Sequence, residues 1–255
     1  MKQIILLILL FVNILFADTK KVYFYTTEIN INNFKSLKIS FDTYLKDYGD
    51  YKFQPFNDRN TFEGYIKEKD SIVIVSSWHF NQIAKKYNLE AKLVASKKGS
   101  ITDTKILVGQ KNIKFKGVVT SAYDKEYSNQ LLSNLTDKKS KDLSVLIVPK
   151  EIDALMSVGF GMSKFALVSK DSFSLLKTIN PFLANNLQTY KESNPKYRII
   201  LAHNKIDKSR DKLISVFQNM GKNKNGKNIL NMIGADNLVV LSTNDLNNLG
   251  GLKWD

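Results

Sequence analysis

No cysteine occurs in this 255-residue chain, which excludes disulfides, thiolate metal ligands and cysteine nucleophiles together. Histidine is nearly as scarce. His79 and His203 are the only two, and without cysteine partners or an H-E-x-x-H spacing they do not make a zinc site, so no metal or cofactor is expected. The four prolines and twelve glycines form no linker or low-complexity tract. Arginine is limited to Arg59, Arg198 and Arg210, although the net charge is +14. Nucleic-acid readers concentrate charge and favour arginine's forked donors. The scattered lysines therefore read as solvated faces, no nucleic-acid partner is expected, and the summed positive field suits an anionic small molecule. Nucleophilic catalysis has no support either. Gly161-Met162-Ser163 runs on into Lys164-Phe165 rather than completing a G-x-S-x-G elbow, and the chain is not expected to be an enzyme.

One apolar run is present, at the start. Lys2, the stretch 4–16 broken by Asn13, and Ala17 ahead of Asp18-Thr19-Lys20-Lys21 have the layout of a secretory leader over 1–17. The run is shorter than the roughly 20 residues a membrane-spanning helix needs. No cysteine follows for lipid attachment, so the product is expected free in a bacterial periplasm, not as a lipoprotein, and remote from cytosolic ATP and NAD. Its 43% hydrophobic and 11% aromatic content argues for a packed core.

Short β-type runs alternate with segments of helical period, the pattern of sheets covered by helices. Strands are expected at 22–26, 51–56, 71–75, 93–95, 106–108, 116–120, 143–148, 165–168, 197–202 and 238–241. Helices are expected at 34–48, from 61, at 78–87, 127–135, 151–158, 171–178, from Pro181, at 206–220 and up to Met232. The polar tract 219–228 reads as a loop. Gly221 and Gly226-Lys227 have phosphate-loop spacing, but Asn228 stands where a magnesium-binding hydroxyl is needed and no strand precedes them. Gly159-Phe160-Gly161 lacks the third glycine of a dinucleotide fingerprint and reads as a helix stop.

Three stretches carry a resemblance. Ser76-Ser77-Trp78-His79-Phe80 after a strand, Val148-Pro149-Lys150-Glu151-Ile152-Asp153-Ala154-Leu155 followed by 161–173, and 220–230 followed by Ile233-Gly234-Ala235-Asp236 resemble type II periplasmic solute-binding proteins of the phosphate/phosphite/phosphonate branch. The resemblance implies a two-lobed α/β fold, with two mixed sheets flanked by helices and a hinge of two crossover strands near 95–104 and 198–204. Lobe 1 would comprise 18–98 plus 203–255, and lobe 2 would comprise 99–202. In such open sheets ligands sit beyond the carboxyl ends of strands, where helix amino-termini present unpaired N–H groups.

That rule points to four hydroxyl-rich loops: Tyr25-Thr26-Thr27, Ser76-Ser77-Trp78-His79, Thr120-Ser121 with Tyr123, and Ser169. Helix capping is the competing role for each serine and threonine. The family has a Ser/Thr-rich run at the start of the first lobe-2 helix. The matching stretch here, Ser121-Ala122-Tyr123-Asp124-Lys125-Glu126, carries two carboxylates instead. The expected function is capture of a small anionic solute, phosphate- or phosphonate-like, by a monomer that hands it to an inner-membrane ABC permease. The alternative is a periplasmic ligand-sensing module signalling to a membrane kinase or cyclase.

Overall fold

A computed structural model describes residues 19–67, 71–114, 116–136, 143–204 and 211–250. The expected leader lies outside the described residues. In chain order the first part holds β1 (Lys20–Tyr25), α1 (Phe34–Leu45), β2 (Tyr51–Pro55), α2 (Arg59–Tyr65), β3 (Ser71–Val75), α3 (Ser77–Ile83) and β4 (Leu89–Ser96). After β5 (Thr102–Asp103) come β6 (Lys105–Gln110), β7 (Gly117–Ser121), α4 (Lys125–Leu135), β8 (Leu143–Ile147), α5 (Glu151–Gly159) and β9 (Phe165–Ser169). There follow α6 (Lys170–Ile179), α7 (Pro181–Asn185), β10 (Leu187–Glu192) and β11 (Lys196–Tyr197). The chain then returns through β12 (Ile200–Asn204), α8 (Asp211–Asn219), α9 (Lys224–Met232), β13 (Asn237–Val240) and α10 (Thr243–Gly250).

The strands form two mixed sheets. The first has the order β13-β4-β12-β3-β1-β2 and the second β10-β6-β9-β7-β8. β1 runs parallel to β2 and β3, and β7 runs parallel to β8 and β9. Between the sheets the chain crosses twice, and the crossings pair as the small antiparallel ribbon β5–β11. β12 joins the first sheet from Ile200 onward.

Alternation assigns the faces. Val22, Phe24, Ile72 and Ile74 pack with Phe41, Phe217 and Leu230 on one side, and Tyr23, Val73 and Val75 pack with Phe62 and Phe80 on the other. The β-branched run Ser71–Val75 is buried at every position, as a strand covered on both faces must be. In the second sheet Ile106, Val108, Ala166 and Val168 meet Leu155, Val158 and Leu176. The opposite face, with Leu107, Val119 and Leu167, packs on Leu131 and Leu132 and also on Trp78, a residue of the first lobe. Side chains of Asn33, Asp58, Asp124, Ser169, Asn180 and Asn223 cap helices.

Three sequence expectations need correction. The tract 219–228 is not a loop. It is a 3-10 turn over Met220–Lys222 and the first turns of α9, capped by Asn223. A methyl group on Gly226 would stand 2.1 Å from the Met220 carbonyl oxygen, so the glycine serves close backbone approach rather than phosphate binding. β10 and α10 were not anticipated. β10 is a polar, bulged edge strand whose sequence lacks an apolar alternation. The expected helix over 206–220 is present as α8 from Asp211, and 206–210 lies outside the described residues.

Candidate functional site

The carboxyl ends of β1, β2 and β3 face those of β7, β8 and β9 across the seam between the lobes, and the loops leaving them interlock. Glu151 N–H donates to the Thr27 carbonyl at 3.2 Å, and Lys150 Nζ donates to the Ile31 carbonyl at 3.1 Å. Ser172 Oγ donates to the Glu28 carbonyl at 3.2 Å. Arg59 of the first lobe reaches Asp124 of the second at 2.8 Å, while its other nitrogens hold Glu63 and Gln82. Trp78 stacks on Tyr127 with centroids 5.6 Å apart and meets Tyr123 edge-on at 5.9 Å. The lobes are closed on one another.

At the centre of the seam is a buried charge cluster. Lys105, 2% exposed at the start of β6, places Nζ 3.1 Å from Glu28 Oε1 and 5.3 Å from the centre of the Tyr123 ring. Burial alone would pull its pKa down, but the carboxylates of Glu28 and Glu151 outweigh that and hold it above the usual lysine value. Glu151, at the first turn of α5, accepts from the Ser169 N–H at 2.9 Å, from Ser169 Oγ at 2.5 Å and from the Tyr123 hydroxyl. These donors form the kind of pocket that binds an oxyanion, and an internal carboxylate occupies it. Burial pushes the Glu151 pKa up to about 7 against the opposing pull of Lys105.

Two cavities flank the cluster. The outer one, about 390 Å³, is walled by Tyr25, Trp78 and Tyr123, with Thr27, Arg59 and Asp124 at its rim. Trp78 Nε1 and Thr27 Oγ1 are buried and have no hydrogen-bond partner among the described residues. The hinge-side cavity, about 290 Å³, is lined by Glu28, Lys97, Ser169, Asp171, Ser172 and Arg198. Here Asp171 takes ion pairs from Arg198 at 2.7 Å and Lys97 at 3.0 Å.

Of the residues expected from sequence, Tyr25, Thr27, Trp78 and Tyr123 line the outer cavity and Ser169 lines the inner one. The others spend their polar groups within the protein. Thr26 and Ser76 bond each other at 2.9 Å, so Ser76 starts α3 without a side-chain cap bond. Ser77 Oγ donates to the Tyr197 carbonyl of the hinge ribbon at 2.5 Å. Thr120 lies 3.0 Å from the Ala154 carbonyl and 3.1 Å from that of Phe165. Ser121 accepts from Ser128 Oγ at 2.8 Å and the Tyr123 N–H at 3.2 Å. His79 is fully buried, with its Nε2 3.0 Å from Glu63, and burial lowers its pKa. His203 is likewise buried. Sequence reasoning passed over Glu28, Lys105, Glu151, Arg59 and Tyr127. Glu28 directly follows Thr26-Thr27, but one lysine among many in a strand carries no signal of its own. Among the described residues no three acidic or histidine side chains are grouped to hold a metal.

No family model matches the sequence, and no curated protein matches it. Solved structures do. The binding-protein component of an ABC phosphonate transporter from Pseudomonas aeruginosa is 14% identical, with a TM-score of 0.70 over 90% of this chain and 84% of that one. PhnD1 from Prochlorococcus marinus, solved with methylphosphonate, is 14% identical at a TM-score of 0.72 over 92% of this chain and 97% of that one. XAC2383 from Xanthomonas citri, solved with ATP, is 10% identical at 0.70 over 91% and 96%. At these identities the likeness is one of fold, that of the two-lobed periplasmic binding proteins.

Proposed function

We propose that this chain is a solute-binding protein that captures a small oxyanion-bearing solute, phosphonate-like in class, between its lobes for delivery to an ABC permease. The observation that carries the reading is the seam itself. Strand ends from both sheets converge on cavities of about 390 and 290 Å³ around a buried ammonium and an oxyanion-type donor set. That is the placement open α/β sheets use for ligands, and proteins of like fold include a phosphonate transporter's binding component.

In this reading Lys105, the Ser169 N–H and the hydroxyls of Ser169 and Tyr123 receive the oxyanion. Glu151 yields its place and takes a proton, which its raised pKa makes accessible near neutrality. Arg59–Asp124 and Trp78 against Tyr127 then keep the lobes together, a hinge closure about β5–β11. The leader places the protein in the periplasm as a monomer, and its role is binding rather than turnover. The lobes are taken as 18–98 plus 203–255 and 99–202, except that β12 carries Ile200–Ala202 into the first lobe.

The test is a thermal-shift and calorimetric screen of methylphosphonate, phosphate, sulfonates, carboxylates and amino acids. A solute at 100 times its Kd adds about 2.7 kcal/mol of stability, which for a chain of this size raises Tm by roughly 5–10 °C. No response to any oxyanion, with a shift from a neutral or cationic compound, would overturn the proposed ligand class.

A further inference from the structure

The end of lobe 2 remote from the seam has an unusual surface. β7 and β9 start there and α5 and α6 end there, so it lies opposite the loops that form the cleft. Phe160, Met162 and Phe182 are 65%, 69% and 83% exposed, values far from those of core aromatics and aliphatics. The three belong to one surface. Gly159 abuts Leu183 so closely that a methyl group would stand 2.2 Å from it, which brings the Phe160 turn onto α7. Gln110 Nε2 donates to the Val158 carbonyl at 3.2 Å, and the Lys111 N–H donates to the Asn186 carbonyl at 3.3 Å.

Lysines surround these apolar groups. Lys111, Lys114, Lys116 and Lys164 are all exposed, and the last three line an open recess of about 760 Å³ with Ile113 and Gly117. None of the four makes an ion pair among the described residues. Of the segments that reach this end, 104–123, 154–170 and 172–191 contain no aspartate or glutamate. Elsewhere the lysines are interspersed with carboxylates, as in the pairs Lys38–Asp42 and Lys92–Glu90.

Bulky apolar side chains held out into water within a field of unpaired ammonium groups match the boundary of an anionic bilayer, where the rings enter the acyl margin and the lysines meet phosphates. We infer that this end of lobe 2 docks on an anionic membrane surface, with Phe160, Met162 and Phe182 as the inserting groups and Lys111, Lys114, Lys116 and Lys164 as the headgroup contacts. Docked this way, the protein holds its cleft away from the lipid, so the docked state is one of solute capture and delivery to a permease follows its release from the bilayer.

The test uses the chain from Asp18 onward, because the apolar stretch 4–16 would itself partition into lipid. Flotation with phosphatidylglycerol–phosphatidylcholine vesicles is compared with phosphatidylcholine alone. Binding is expected only to the anionic vesicles. F160S combined with F182S should lower the partition coefficient about tenfold or more, and K114E, K116E and K164E together about a hundredfold. All five positions are exposed, so circular dichroism and melting should be unchanged. The matching charge change on lobe 1, K35E, K46E and K52E, should leave binding nearly intact. Equal loss in that control would overturn the assignment in favour of a general field effect. Absence of vesicle binding, or binding indifferent to F160S and F182S, would overturn it too, as would a dimer in sedimentation that these substitutions abolish. None of these readouts depends on the cleft solute.

Discussion

Replacing Lys105 by Met tests whether the buried ammonium holds the lobes together. Lys105 is 2% exposed and pairs with Glu28, 12% exposed, at 3.1 Å across the seam. Removing one partner of a buried pair costs about 3–5 kcal/mol, because the other charge stays desolvated. Glu28 lies on the first lobe, however, and regains water if the lobes part. The penalty therefore falls on closure rather than on folding of either lobe, and it shifts the open-to-closed ratio by a factor of about 10² to several times 10³. Small-angle scattering should show a larger radius of gyration for K105M than for the wild type. Urea unfolding of the individual lobes should change much less. Because the proposed oxyanion loses its ammonium partner, affinity for any solute found in the screen should fall as well. Adding Glu28→Gln to K105M removes the stranded carboxylate and should return much of the compactness. If K105M alone keeps the wild-type radius, the Lys105–Glu28 pair is not what closes the seam, and the reasoning fails.

Other expectations follow from the same geometry. Glu151 holds its proton up to about pH 7 when folded but only to about 4.5 when unfolded, so it adds stability at low pH that is lost as pH rises through this window, up to about 3 kcal/mol. Glu63, held at about 2 by hydrogen bonds from His79 and then Arg59, contributes stability above about pH 4.5 that disappears as pH falls towards 2. Melting temperature should therefore decline from pH 5 to pH 8, and Glu151→Gln should flatten that decline; a profile unaffected by the substitution would refute the assignment. Oxyanion affinity should weaken by about tenfold per pH unit above 7, where Glu151 must be reprotonated for binding, as calorimetry across pH 6–9 would show. Gly226→Ala should lower unfolding free energy in urea by about 1–3 kcal/mol, since its methyl group meets the Met220 carbonyl. Ser77→Ala should cost about 1 kcal/mol of stability through its lost bond to Tyr197, with little effect on solute affinity. A large affinity loss would mean that Ser77 faces the solute after all.

The amino-acid sequence by itself determined most of the elements and the α/β class. Ser71–Val75 is β-branched throughout and forms a strand buried on both faces, and the helical spacing of Leu37, Phe41, Tyr44 and Leu45 is the buried face of α1. Periodicity is a local property, and core packing follows it. β10 escaped notice because an edge strand needs no apolar alternation, its outer hydrogen-bonding groups being served by water. The loops after β1, β3, β7 and β9 were also legible, since they follow from the rule about strand ends. What these loops do there was decided only in three dimensions. A serine bonded to a threonine of an adjacent loop, one bonded to the hinge ribbon and one that caps a helix beside a cavity look alike in sequence, and Ser76, Ser77 and Ser169 differ in what the fold brings within about 3 Å of them. The same holds for Glu28, Lys105 and Glu151, which stand far apart in the chain among many similar charges. The altered ionisation of Lys105 and Glu151 arises from proximity to other charges and lost water, and neither exists until the two lobes meet.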